Sequence, residues 1–214
     1  MTRPKLAILD YGIGNVHSAH KAFEHVGADA ALTTDPDEIA AADGVVLPGV
    51  GAFGACMQAL RAAGLERPAL DAVASGRPFL GICVGMQMLF DDSEETPGVP
   101  GLGVIPGTIR WIPPGVKRPQ MQWNRLIIDQ PDDPMLAGLG DDAWVYFVHS
   151  LHGVPRDPAV VAARCEYGAM LNAAFRLGNV FAAQFHPEKS STAGLRLLAN
   201  FVTAAAKQGV TQGV

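Results

Sequence analysis

Apolar positions along the first half of the chain fall into two rhythms. Leu6-Ala7-Ile8-Leu9 is a continuous apolar run, the length of a buried strand, and it ends in Asp10-Tyr11-Gly12-Ile13-Gly14-Asn15. Val16, Ala19, Phe23 and Val26 then recur at helical spacing as far as Gly27, a suitable helix stop. Residues 28–33 and 44–47 read as strands, the second leading into Pro48-Gly49-Val50-Gly51. Helical spacing returns over 54–63 and 68–74. Residues 77–83 are a fourth strand, and 84–90 start a helix directly after it. This alternation predicts an α/β fold with an open, mostly parallel sheet flanked by helices.

The second half changes character. Proline and glycine crowd the stretch 97–119. Short strands bounded by turn residues follow at 107–112, 123–128, 143–148 and 160–165. A hairpin of 173–177 and 180–185 turns at Gly178-Asn179. These read as antiparallel additions to the same sheet rather than a second domain. Ser191 is placed to cap a last helix with Leu195, Leu198, Ala199 and Val202 on one face, and the tail is expected to fray from Lys207.

Length and composition narrow the class. The 214 residues suit one domain spanning 1–214. With 49% apolar and 17% charged residues the chain can build a core and is not disordered. A formal charge of −5 disfavours nucleic acid as a partner. The cysteines, at 56, 83 and 165, are odd in number and form no C-x-x-C pair, which argues against a disulfide scaffold and a cysteine zinc site. No apolar run approaches the roughly 20 residues of a membrane span. The N-terminal run is too short for a signal-peptide core, so a cytoplasmic setting is expected.

The sharpest chemical signal is Gly81-Ile82-Cys83-Val84-Gly85 at a strand-to-helix junction. A nucleophile elbow needs small residues on both sides of the nucleophile because the backbone there is crowded. It places Cys83 at a helix start, where a thiolate is favoured and the Val84 N–H points to the same spot. A buried cysteine between turn glycines fits the same five residues equally well. A thiolate nucleophile also needs a base and an orienting acid. Phe185-His186-Pro187-Glu188 follows a strand, and residues two apart in an extended stretch share a side, so Glu188 can reach one imidazole nitrogen while the other faces the thiol. Taken alone, His-x-Glu reads better as a loop turn with a solvated Glu. The Pro48-Gly49-Val50-Gly51 loop can present backbone N–H groups as an oxyanion hole does. All three segments would lie at carboxyl ends of strands, where sites form in open α/β sheets. The acid follows the histidine, unlike the order in α/β-hydrolases. Gly12-x-Gly14 has His17 at the third glycine position, so a dinucleotide fingerprint fails.

With Met86 and Gln87 after the elbow and His186-Pro187-Glu188 downstream, the sequence resembles the class I (triad) glutamine amidotransferases, which have a flavodoxin-like fold. Asp10-Tyr11-Gly12-Ile13-Gly14-Asn15, Leu47-Pro48-Gly49-Val50-Gly51-Ala52-Phe53, Phe147-Val148-His149-Ser150 and Gln184 to Ser190 are similar to the glutaminase-subunit family of imidazole glycerol phosphate synthase. The resemblance runs from about Lys5 to Ala205. It implies Cys83 as nucleophile, His186 and Glu188 as its partners, an oxyanion hole at Val50 and Val84, and glutamine held by Gly51, Gln87 and Ser150. It implies hydrolysis of glutamine to glutamate and ammonia through a thioester, in histidine biosynthesis. It further implies a separate (β/α)₈-barrel cyclase subunit as partner, no cofactor and no metal. The chain departs from the family pattern at Gln120 and Gln122 in Pro119-Gln120-Met121-Gln122-Trp123-Asn124, at Leu151 and at Cys165. The first pair lies where the resemblance places the cyclase interface.

Other conspicuous residues have plainer readings. Cys56 and Cys165 sit in apolar patterns and read as packing. His17, His20 and His25 do not form a convincing ligand set, and Met86, Met88 and Leu89 read as core. His149 reads as a hydrogen bond to backbone more than as a site residue. Asn15 can cap the first helix or face the partner. Trp123 is an interface aromatic or a buried strand residue. The competing functions are the glutaminase of another amidotransferase, an intracellular cysteine hydrolase or redox thiol protein, and a non-catalytic interaction domain; the intact Cys83, His186 and Glu188 argue against the last.

Overall fold

The computed structural model describes residues 3–211. Strand and helix alternate in its first half: β1 (Lys5–Leu9), α1 (Val16–His25), β2 (Asp29–Thr33), α2 (Pro36–Ala41), β3 (Gly44–Gly49), α3 (Phe53–Ala62), α4 (Glu66–Ala74), β4 (Phe79–Cys83) and α5 (Val84–Met88). The second half is strand-rich: β5 (Phe90–Ser93), β6 (Ile105–Trp111), β7 (Gln120–Arg125), β8 (Ile127–Ile128), β9 (Trp144–His149), β10 (Leu151–Pro155), β11 (Val161–Glu166), β12 (Met170–Leu177) and β13 (Val180–Ala183), closed by α6 (Ser191–Thr211).

The main sheet has eight strands in the order β2-β1-β3-β4-β13-β12-β11-β8. From β2 to β13 all pairings are parallel; β12, β11 and β8 add antiparallel. Every residue of β3 and β4 is buried, as expected of parallel strands covered on both faces. That double burial is why these segments read as uninterrupted apolar runs in the sequence. The core continues into the helices, with Phe23 of α1 against Phe201 of α6 at 5.8 Å between ring centroids.

The second half corrects the expectation of a single sheet. Strands β10-β6-β5 form a separate three-stranded sheet and β7-β9 a two-stranded one. The run 123–128 is split between sheets because Leu126 turns inward between β7 and β8, with its N–H bonded to the Ala143 carbonyl. Two further elements, β5 and β10, come from sequence with no clean alternation. Helix α2 is capped by Asp35, whose carboxylate accepts from Asp37 N at 2.8 Å, with Pro36 in the first turn.

The last helix also differs from its expected form. The Gly194 N–H bonds the Ser190 carbonyl, and Ser191 is the first helical residue, at φ +47°. Its buried face is Leu197, Leu198, Phe201, Val202 and Ala205, while Leu195 and Ala199 are only partly buried. The helix continues past Lys207 to Thr211, and the rest of the expected frayed tail, 212–214, lies outside the described residues.

Candidate active site

Adjacent parallel strands β3, β4 and β13 deliver three segments to one edge of the sheet. Gly49 pairs with Cys83 at the ends of β3 and β4, and Ala183 pairs with Ile82. Cys83 is the last residue of β4, with φ +55° and ψ −114°, and α5 begins at Val84. A non-glycine residue in that region is strained and persists only where its surroundings hold it. The flanking glycines supply the hold. A Cβ on Gly85 would run into the Leu47 carbonyl, and one on Gly81 would meet Leu89 Cδ1 at 2.8 Å and Met86 Cα at 3.0 Å. The elbow therefore packs backbone to backbone on the end of β3. Helix α5 has five residues and gives way to β5 at Phe90, shorter than the expected 84–90. What it offers Cys83 is free N–H groups of a first turn rather than a long macrodipole.

His186 follows β13, and its N–H is bonded to the Tyr146 carbonyl of β9. Its Nδ1 lies 2.8 Å from Glu188 Oε1, and both side chains are buried. Glu188 reaches back through a 3-10 turn, Pro187–Lys189, and not through an extended segment as anticipated. Ser190 fixes that turn: its hydroxyl donates to the His186 carbonyl at 2.6 Å and accepts from Tyr146 N at 2.9 Å. His186 Nε2 makes no hydrogen bond of normal geometry among the described residues. Burial, the largest influence, disfavours the charged ring, but the nearby Cys83 thiol and Glu188 outweigh it and push the pKa up to about 10. The site thus favours an imidazolium beside a cysteine and a carboxylate.

A cavity of about 270 Å³ opens over these groups, at the small end of small-molecule sites. Val50, Gly51, Cys83, Val84, Gln87, Ser150 and His186 all line it. Two side chains that the sequence reading missed also belong here. Gln184 is fully buried, donates to Cys83 Sγ at 3.8 Å, and accepts from Gln87 Nε2 at 3.1 Å. It stands two residues before His186 after a strand, so shared-face spacing was the available signal. Glu95 lines the cavity and takes the Phe53 N–H on Oε2 at 2.6 Å. A larger cavity of about 660 Å³ lies elsewhere, among Gly76, Pro134, Arg176 and Asn200, away from Cys83 and His186.

A family model described as glutamine amidotransferase class-I matches residues 7–205. The chain belongs to this family. A curated relative, the imidazole glycerol phosphate synthase subunit HisH of Synechococcus sp. (strain JA-3-3Ab), is 49% identical over 97% of this chain and 97% of its own. The subunits of the same name from Methanothermobacter thermautotrophicus and Acinetobacter baylyi are 51% and 48% identical, over 92% and 94% of this chain and 97% and 98% of theirs. Among solved structures, a glutamine amidotransferase superposes with TM-score 0.74 at 23% identity, covering 94% of this chain and 98% of that one. PurLQS from Thermotoga maritima superposes with TM-score 0.73 at 19% identity, covering 94% and 99%. These two likenesses concern the fold.

Three of the four positions set apart in the sequence, Gln120, Leu151 and Cys165, meet around His149. His149 Nδ1 donates to the Leu151 carbonyl at 2.7 Å, its Nε2 lies 2.9 Å from Gln120 Oε1, and Gln120 Nε2 lies 4.0 Å from Cys165 Sγ. Burial lowers His149 to about 4, so the ring is neutral, and raises Cys165 to about 12, so the thiol is protonated. With its proton committed to the Leu151 carbonyl, neutral His149 offers Nε2 as an acceptor. The Gln120 amide satisfies this by presenting its NH₂ to the ring and its oxygen to the thiol, the two amide ends being alike in shape. Gln120 is completely buried and so cannot reach a partner, whereas Gln122 is exposed.

Asn15 makes no capping bond to α1; its Nδ2 donates to Glu188 Oε1 at 3.3 Å. Trp123 is 44% exposed, edge-on to Tyr146, which excludes the buried-strand reading. Cys56 and Cys165 are fully buried, and His149 bonds backbone, as expected.

Proposed function

We propose that the chain is a glutaminase in which Cys83, His186 and Glu188 form the catalytic triad. The observation that carries this reading is that Cys83 and His186 meet in the wall of the 270 Å³ cavity, with Glu188 2.8 Å from His186 Nδ1. Cys83 Sγ, as thiolate, attacks the carboxamide carbon of glutamine. The tetrahedral oxyanion is held by the Val50 and Val84 N–H groups. His186, oriented by Glu188, gives its proton to the departing nitrogen, and ammonia leaves a glutamyl thioester on Cys83. His186 then takes a proton from water, the hydroxide attacks the thioester, and glutamate and the free thiol are released. Gly51, Gln87 and Ser150 hold the substrate, and the Glu95 carboxylate in the cavity wall is placed for its α-ammonium group. No cofactor or metal enters the scheme.

The relatives' name supports the wider role. The chain works as the glutaminase subunit of imidazole glycerol phosphate synthase in histidine biosynthesis and passes ammonia to a (β/α)₈-barrel cyclase subunit. The exposed Met121 and Trp123 of β7 suit the docking surface, being large, apolar and uncovered. The setting is cytoplasmic; among the described residues no helix is long and apolar enough to cross a membrane.

The test is glutamate release from glutamine by the chain mixed with the cyclase subunit, with and without the cyclase's substrate. The expected outcome is weak turnover alone and a large rise in the ternary mixture. Cys83→Ser should abolish glutamine-dependent synthesis and leave ammonia-dependent synthesis intact. Glutamine-supported synthesis by Cys83→Ser would overturn the assignment.

A further inference from the structure

Against the 48–51 loop, outside the cavity lining, lie two buried side chains that the triad does not use. Tyr11, just after β1, is 6% exposed, and Cys56, in the first turns of α3, is fully buried. The Tyr11 hydroxyl donates to the Pro48 carbonyl at 2.5 Å. The Cys56 thiol donates to the Val50 carbonyl at 3.2 Å. The hydroxyl and the thiol also adjoin one another, so the two anchors form one buried polar cluster.

The geometry of a peptide chain gives this arrangement a consequence. The Pro48 carbonyl belongs to the peptide joining 48 to 49, and the Val50 carbonyl to the peptide joining 50 to 51. Each peptide is planar, so fixing its carbonyl fixes its N–H on the opposite side. Between these two anchored planes lies the single peptide joining Gly49 to Val50, which carries the Val50 N–H assigned above to the oxyanion. Gly49 itself is gripped: a Cβ there would meet Gly85 N at 2.7 Å, Tyr11 Oη at 2.8 Å and the Val84 carbonyl carbon at 3.1 Å. Tyr11 thus touches the loop just where the loop touches the first turn of α5. Burial keeps both groups as donors: it holds the Tyr11 phenol well above its ordinary range and pushes the Cys56 thiol up to about 11.

We propose that Tyr11 and Cys56 are positioning residues for the oxyanion hole, clamping the peptides on either side of Gly49–Val50 and so setting where the Val50 N–H points. The inference rests on the glutaminase reading above. Neither residue lines the substrate cavity itself, and their hydrogen bonds to the loop fall on its backbone carbonyls at Pro48 and Val50. An oxyanion donor acts on the transition state more than on bound substrate. Loosening its support should therefore lower kcat and spare KM.

The experiment uses the full chain assembled with its cyclase subunit and compares Tyr11→Phe, Cys56→Ala and Cys56→Ser. Two readouts are taken: steady-state glutamine hydrolysis, and the rate at which iodoacetamide alkylates Cys83, read by mass spectrometry. Alkylation needs the thiolate but no oxyanion hole. Tyr11→Phe and Cys56→Ala should each lower kcat about tenfold, a fraction of the loss on removing such a donor outright. KM and Cys83 alkylation should stay within about twofold, since the nucleophile and pocket are untouched. Cys56→Ser, which restores a donor to the Val50 carbonyl, should recover most of kcat. Wild-type kcat in both Tyr11→Phe and Cys56→Ala overturns the proposal, and so does a parallel fall in kcat and alkylation, which would mark a general collapse of the site. An assembled wild-type complex that releases no glutamate overturns the glutaminase reading itself, and with it the clamp.

Discussion

Gly85 packs its Cα directly against the Leu47 carbonyl, so the helix after Cys83 and the strand beside it meet with no side chain between them. Neither partner in that contact can give way, because both are backbone. Gly85→Ala should therefore destabilise the chain by about 3 kcal/mol or more, the upper range for overpacking. Gly81→Ala, which meets the movable end of Leu89 as well as Met86 backbone, should cost less. Gly51→Ala, at φ +90° with open space around it, should cost only the left-handed strain of about 1–2 kcal/mol. Urea unfolding of the three variants checks the order; a Gly85→Ala protein as stable as Gly51→Ala would show that the elbow does not rest on β3.

The charge on His186 is held by two neighbours against burial. With its folded pKa raised to about 10 from 6.5, His186 favours the folded state fully below pH 6.5, and that contribution is lost as pH rises through about 10. Cys83→Ala removes one of the two neighbours, so the ring should titrate at lower pH, and the decline in stability between pH 6.5 and 10 should become shallower. Imidazole chemical shifts followed against pH in both proteins give the comparison. An unchanged midpoint in the variant would show that the thiol does not act on the ring.

His149 and His152 work in the opposite direction. Burial lowers both from 6.5 to about 4, with the Leu151 carbonyl partly offsetting it for His149 and Glu94 for His152. Both stay neutral in the folded chain, so their contribution is complete above pH 6.5 and is lost as pH falls towards 4. Taken with His186, the combined contribution of these three histidines is greatest near pH 6.5. His152→Gln, which lies outside the cavity lining, should flatten the acid limb without changing glutamine turnover at neutral pH. Denaturant midpoints at several pH values between 4 and 6.5 test it, and an acid limb as steep as in the wild type would discount His152.

What could be read in advance follows from locality and burial. Strands β3 and β4 announce themselves because both faces are covered, and Cys83 and His186 because short motifs mark strand ends. Strand β5, Phe90-Asp91-Asp92-Ser93, and β10 carry no apolar rhythm; they exist because β6 pairs with both, through partners such as Ile109 with Gly153 that only the folded chain brings together. The sheet membership of β7 and β9 was hidden for the same reason. The 3-10 turn under Glu188 replaced the extended geometry assumed for it, although the contact made was the one expected. The bond from Asn15 to Glu188 spans 173 positions, and that from Tyr11 to Pro48 spans 37. Tyr11 and Asn15 both stand in the 10–15 motif, but no local pattern encodes which groups they reach. Glu95 lines the cavity without any motif to mark it.

Trp123 stands out on β7 as a large apolar side chain left half in solvent. It is 44% exposed, its ring meets the edge of Tyr146 at 6.1 Å, and Met121, two residues earlier on the same face, is 61% exposed. Exposed aromatic and methionine side chains on one strand face are costly to leave in water and are enriched at interfaces. Trp123→Ala should leave the fold intact, since the side chain contributes little to the core, and should weaken association with the cyclase subunit by about 2 kcal/mol, roughly thirtyfold in Kd. Titration calorimetry against the cyclase measures the change, and circular dichroism confirms the fold. Glutaminase activity should return at saturating cyclase, because Trp123 does not line the cavity that holds Cys83 and His186. Unaltered affinity in Trp123→Ala would move the docking surface away from β7.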